Sequence, residues 1–217
     1  KPNFEQLNIA LELLERCLIE DKRILIVGDF DADGATASAV AIRALRLMGA
    51  KHVDFLVPNR FKHGYGLSPE IVKEAKLDKE PDLIITVDNG ISSNEGAALA
   101  RSLNIDVIIT DHHLPPNELP NANAIINPNL RGCDFPSKNL AGVGVSFYLF
   151  SSLKTHLTKQ GYFEKNNIQS PDLRVLLDLV ALGTVADVVK LDQNNRILVN
   201  EGIKRIRQKN CSKGILA

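Results

Sequence analysis

The stretch over residues 23–34, RILIVG followed by DFDADG, decides the reading of the fold. Its first half is a short apolar run, rich in β-branched residues and bounded by charge, the pattern of a strand buried on both faces. Its second half sets three carboxylates, Asp29, Asp31 and Asp33, directly behind that run. The residues after Gly34, ATASAVAIRALRLMG, are rich in Ala and Leu and stop at Gly49, so they predict a helix. Working outward, residues 53–57 predict a strand ending at Pro58, and Ser68-Pro69-Glu70 predicts a helix start with Ser as cap and Pro in the first turn. The runs 83–87 (LIITV), 107–110 and 124–126 predict further buried strands, with a helix from Ser92 or Ser93 to about Leu103 between the first two. Strands alternating with helices predict an α/β domain whose mostly parallel sheet is flanked by helices on both faces.

Upstream, Phe4, Leu7, Leu11, Leu14 and Leu18 recur at spacings of three and four and predict an amphipathic helix. Downstream, residues 127–140 are rich in Pro, Gly and Asn and read as a surface loop. A helix follows over 143–159, then a polar segment over 160–171 that reads as a joint, then helix, short loop and helix over 173–207.

Composition narrows the class. The 217 residues are 44% apolar and 24% charged, enough to build a packed core, which excludes a disordered or collagenous chain. The 26 basic and 26 acidic residues cancel, which argues against a protein that coats DNA through net charge. Three cysteines, Cys17, Cys133 and Cys211, show no CxxC spacing; they fit a reducing, cytoplasmic setting and offer no zinc ribbon. No apolar run reaches the roughly 18 residues of a membrane span, so no membrane partner is expected. The chain opens at KPNFEQL without Met and closes at GILA, the expectation being a piece of a longer protein.

The functional signal lies directly behind the strands. After RILIVG come Asp29, Asp31 and Asp33; after LIITV comes Asp88-Asn89-Gly90; after VIIT comes Asp111-His112-His113. In a parallel sheet these strand ends share the carboxyl edge, where open α/β folds bind ligands. Five carboxylates and two imidazoles therefore meet there, and crowded carboxylates call for cations. Oxygen-rich donors with one or two histidines and no thiolate suit Mn2+ or Mg2+. Taken singly, an Asp behind a strand is as readily a turn former or a helix cap. If DFDADG were extended, alternation would aim its three acids the same way. Other templates fail: the chain has no GxxxxGK[ST] loop, no GxSxG elbow and no HExxH.

In order, GDFDADGATA, VDNG, DHH and GTVADVV, with PNRFKHGYGL and LAGVGVSF between them, resemble the DHH phosphoesterase superfamily, and most closely its RecJ-type branch of single-strand-specific 5′→3′ DNA exonucleases. The likeness runs from about Arg23 to Val189. It implies two divalent metal ions, Mn2+ or Mg2+, held by Asp31, Asp33, Asp88, His112 and Asp187, with Asp29 as a further ligand or an outer acid. The pyrophosphatase branch carries a His where this chain has Val27, which disfavours that branch. Asp111 is expected to support the histidine pair, and His113 to meet the phosphate. Arg60, Lys62 and His63 form a basic cluster expected to bind substrate phosphates, as are the backbone and hydroxyl of the turn at Gly142, Gly144 and Ser146. Tyr65 or Phe61 could stack on a base, although core packing is the commoner fate of such rings.

The implied activity is two-metal phosphodiester hydrolysis on single-stranded DNA in repair and recombination. The alternatives are a phosphatase of short oligonucleotides, nucleoside bisphosphates or polyphosphate, and a binding module with decayed motifs, which the intact acids and histidines oppose. Residues 1–190 are expected to form the catalytic unit and 191–217 the start of a helical connector to absent C-terminal domains. Repair or single-strand-binding proteins would engage the molecule through those domains.

Overall fold

A computed structural model describes residues 4–59 and 64–216. The chain runs α1 (Leu7–Ile19), β1 (Ile24–Gly28), α2 (Ala32–Leu47), β2 (Val53–Leu56), α3 (Pro69–Asp78), β3 (Leu83–Val87), α4 (Asn94–Ser102), β4 (Asp106–Thr110) and β5 (Ala124–Ile126). It continues through α5 (Gly142–Lys159), α6 (Tyr162–Lys165), a 3-10 turn (Leu173–Leu176), α7 (Leu177–Ala186), α8 (Gln193–Arg207) and α9 (Lys213–Leu216).

The five strands form one parallel sheet in the order β2-β1-β3-β4-β5. Strands β1 and β3 are buried along their whole length, as their unbroken apolar runs require when helices cover both faces. Helices α2, α5 and α7 pack on one another, and α3 packs on α4. The order reverses between β1 and β3, so the two loops behind those strands diverge and leave a crevice. The register is what places chemistry in that crevice. Gly28 pairs with Val87, Val87 with Thr110, and Thr110 with Ile126. The next residue in each strand, Asp29, Asp88, Asp111 and Asn127, therefore falls in one row along the carboxyl edge.

Three local expectations need correction. DFDADG is not extended: Asp31 caps α2 by accepting the Gly34 N–H at 2.9 Å, and the helix begins at Ala32. Asp31 is left exposed while Asp33 turns inward. The stretch 160–171 is not merely a polar joint, since Tyr162 and Phe163 of α6 are buried in the core. Nor is 127–140 simply a surface loop: Asn127, Leu130, Phe135 and Leu140 are buried, and Phe135 stacks on Phe4 with ring centroids 4.5 Å apart. Beyond residue 190, α8 lies along α7, with Gly202 so close to the Leu177 carbonyl that a side chain there would collide with it. Among the described residues, no helix is long and apolar enough to cross a membrane.

Candidate metal centre

The register brings Asp29, Asp88 and Asp111 to one edge, and three further residues complete the cluster. Asp33 arrives on the first turn of α2, His112 follows β4, and Asp187 sits at the C-terminal cap of α7. The His112 Nε2 lies 3.2 Å from Asp88 Oδ1 and 3.6 Å from Asp187 Oδ2. All three atoms are buried and none has a hydrogen-bond partner. Candidate ligand atoms group as Asp33, His112 and Asp187, as Asp88, His112 and His113, and as Asp29, Asp31 and Asp88, each group lying within 4.8 Å.

The electrostatics separate the acids into two kinds. Burial, and then the negative charges of Asp33, Asp31 and Asp111, push the Asp88 carboxyl up to about 10. Burial also raises Asp33 to about 6, against the pull of the Val143 N–H, and raises Asp29 and Asp187. Asp111 goes the other way. Burial opposes its charge, but the hydrogen bond from His113 together with backbone donors holds the carboxyl below the usual range. Its Oδ1 accepts from the His112 N–H, the His113 N–H and His113 Nδ1, and its Oδ2 from the Ile91 N–H at 2.9 Å. Asp111 is thus satisfied by the protein, while Asp88 is buried with no donor on its Oδ1 and, without a cation, keeps its proton. A buried carboxylate without donors is stable only with a cation. Oxygen and imidazole donors around such a carboxylate fit hard or borderline divalent ions such as Mn2+ or Mg2+.

The chain is shaped to crowd these groups. Asp88 adopts φ +63°, a left-handed conformation that Asp tolerates better than most residues. Asn89 ties the two central strand ends together, donating to the Val27 and Val87 carbonyls. Gly142 and Gly183 let α5 and α7 approach Asp88 and Asp33 more closely than any side chain would permit.

The expected residues fare unequally. Asp29, Asp31, Asp33, Asp88, Asp111, His112, His113 and Asp187 all fall within this region. The turn at Gly142, Gly144 and Ser146 requires correction as a phosphate site. The Gly142 and Val143 N–H groups already donate to Asp33 at 2.6 and 2.9 Å. Gly144 abuts Leu140, and the buried Ser146 hydroxyl lies 3.3 Å from that of Thr110. This turn holds Asp33 in place. Arg60, Lys62, His63 and Phe61 lie outside the described residues. Tyr65 does not sink into the core: it is half exposed, its hydroxyl lies 3.5 Å from the Asp88 carbonyl, and its ring meets His113 edge-on.

Two supporting residues went unread in the sequence. Asn127 donates to the His113 carbonyl and Asn129 to the His112 carbonyl, fixing the backbone of the DHH turn. Asn127 was within reach of the rule already applied to three strands, since it is the residue directly behind β5.

The model of the DHH family, N-terminal domain, matches residues 23–184. The chain is 60% identical over 208 residues to the single-stranded-DNA-specific exonuclease RecJ of Escherichia coli (strain K12), covering 96% of this chain and 36% of that protein. It therefore spans about a third of the length of this relative. A crystal structure of exonuclease RecJ bound to manganese superposes with a TM-score of 0.79 at 36% identity, over 95% of this chain and 49% of that one. The structure of RecJ in complex with Mn2+ from Thermus thermophilus gives 0.75 at 35% identity, over 94% of this chain and 28% of that one. With the family match spanning the sheet and every acid behind β1, β3 and β4, the chain belongs to the DHH family and carries its N-terminal domain.

Proposed function

We propose that this chain is the catalytic unit of a phosphodiesterase that uses two divalent ions, Mn2+ or Mg2+, and degrades single-stranded DNA from its 5′ end in repair and recombination. The observation that carries the proposal is the convergence of three buried, unpartnered atoms, Asp88 Oδ1, His112 Nε2 and Asp187 Oδ2. The substrate and the ions rest on the relatives, which are named as RecJ exonucleases and solved with manganese. In this reading Asp31, Asp33, Asp88, His112 and Asp187 hold the ions, with Asp29 as a further ligand or outer acid. When bound, such ions polarise a phosphate and lower the pKa of water. Asp111 grips His113 at Nδ1, 2.7 Å away, and raises its pKa through that bond, which favours an imidazolium facing an anionic phosphate. Residues 1–190 serve as the catalytic unit and 191–217 as the start of the connector. Arg60, Lys62 and His63 supply phosphate contacts, and repair or single-strand-binding proteins are met through the rest of the molecule, in the cytoplasm.

The test is a product ladder. With Mn2+, a 5′-labelled single strand is expected to lose its label as mononucleotide at once, while a 3′-labelled strand shortens stepwise. Hydrolysis of bisphosphates with none of single strands would overturn the exonuclease reading. Metal binding has its own readout. A ligand that binds only the folded state at 100 times its Kd stabilises by about 2.7 kcal/mol, and about 2–4 °C accompanies each kcal/mol in a domain of this size. The melting temperature should rise by that order with saturating Mn2+ and return on chelation; an unchanged value would count against a preformed centre.

A further inference from the structure

Asp33 and Asp187 reach the centre by routes that the sheet does not tie together. Asp33 is gripped by the Gly142 and Val143 N–H groups, and residues 137–141, which lead into them, form neither helix nor strand. Asp187 closes α7, and behind it Val188 is exposed and left-handed at φ +58° before α8 begins at Gln193. Yet candidate ligand atoms of these two acids and His112 gather within 4.8 Å.

One buried side chain joins the two segments. Asn195, on the first turn of α8, has no exposed surface. Its amide nitrogen donates to the Asn139 carbonyl at 2.6 Å and to the Lys190 carbonyl at 2.9 Å. Asn139 lies three residues before Gly142, and Lys190 three residues after Asp187. The helix itself does not require this amide. Its cap is Asp192, whose carboxylate accepts the Asn195 N–H at 3.0 Å and the Ser137 hydroxyl at 2.6 Å. The Asn195 side-chain oxygen is buried without a partner, and leaving a buried acceptor unbonded is costly. What the fold gains from this residue is its pair of donors. We propose that Asn195 is a positioning residue, a clasp that fixes the spacing of Asp33 and Asp187 by bonding the segments that deliver them. The consequence for metal binding rests on the reading of these acids as ligands; the clasp itself is a matter of hydrogen bonds.

The experiment compares Asn195→Ala with Leu198→Ala, a buried apolar truncation on the same helix. Both should lower the melting temperature. Mn2+ titration by calorimetry should show about 10- to 100-fold weaker binding for Asn195→Ala, the range for residues that orient metal ligands, and a change within about twofold for Leu198→Ala. Backbone hydrogen exchange of the metal-free protein supplies a readout independent of the ions. Asn195→Ala should speed exchange about tenfold or more at Gly142 and Val143 and at Asp187 and Asp192 together, leaving residues 83–87 unchanged. If Asn195→Ala does not fold, Asn195→Ser, which keeps one donor, should show the same pattern at smaller amplitude. Equal loss of Mn2+ affinity in both truncations, or none in either, would overturn the positioning role. So would faster exchange confined to the start of α8. Failure of the parent to bind Mn2+ would sink the metal reading, and the exchange pattern alone would then decide the clasp.

Discussion

Asp88→Asn is expected to abolish hydrolysis while making the metal-free protein more stable at alkaline pH. The carboxyl is buried, its Oδ1 has no partner, and it stands in the centre of the cluster. Asn retains the shape and accepts the left-handed φ of +63° as readily as Asp does, so the turn survives the change. The folded protein holds the Asp88 proton up to about 10, whereas the unfolded chain releases it at about 3.9. The contribution of that carboxyl to metal-free stability is thus complete below about pH 4 and is lost as pH rises toward 10. Asn has no proton to hold, so the variant should gain on the parent steadily from about pH 4 to 8, by a difference on the order of 1 kcal/mol or more. Saturating Mn2+ should reverse the order, stabilising the parent far more than the variant. Activity should fall on the order of 10³-fold, the scale lost with one charge-stabilising group of a preorganised site. A variant that melts like the parent at every pH and still turns over would remove Asp88 from the centre.

Gly142→Ala is the second large effect, and it acts from outside the charged set. A Cβ at Gly142 would overlap Asp88 Oδ1 and lie 2.6 Å from its Cγ. Asp88 cannot retreat, because its backbone is fixed at the end of β3 and its N–H is bonded to the Thr110 carbonyl at 3.0 Å. The start of α5 must therefore withdraw, breaking the two N–H bonds to Asp33, or the carboxylate must swing away. Overpacking of this kind costs about 1–3 kcal/mol. Displacing a reacting group by about 1 Å can cost on the order of 10²-fold in rate. Thermal melting, Mn2+ titration and the rate of the product ladder should all register the change. Near-normal values in all three would mean that α5 yields freely and that the close approach has no role.

How much of this was legible depends on what wrote it into the chain. Buried parallel strands must be apolar along their whole length, so β1, β3 and β4 announced themselves, and the acids behind them followed from topology alone. The start of α3 was legible because Ser68 and Pro69 form a cap with its own chemistry. The extended form of DFDADG, the condition under which its three acids would face one way, does not arise because capping α2 is the stronger local demand on Asp31. The start of α5 looked like a donor for phosphate because its small residues leave N–H groups free; that Asp33, more than 100 residues earlier, takes them is tertiary information. Asp187 emerged only through the family resemblance. The turn behind it places Val188 at φ +58°, and a β-branched residue is the last one that sequence reasoning would assign to a left-handed turn. Tyr162 and Phe163 were hidden by polar neighbours, since two rings in a short segment show no periodicity.

The register of the sheet has a consequence for how the chain finds its native state. Sliding one parallel strand by two residues keeps every side chain on its proper face, so the apolar core penalises such an error only weakly. The same slip moves the residue behind that strand by ~6.6 Å along the edge, at about 3.3 Å per residue. That exceeds the 4.8 Å span within which the candidate ligand atoms gather. A misaligned sheet would then be left with scattered, unneutralised acids, and only the correct alignment collects the binding free energy of the ions. The centre would act as a proofreader of strand alignment, selecting among near-equivalent packings that hydrophobicity cannot tell apart.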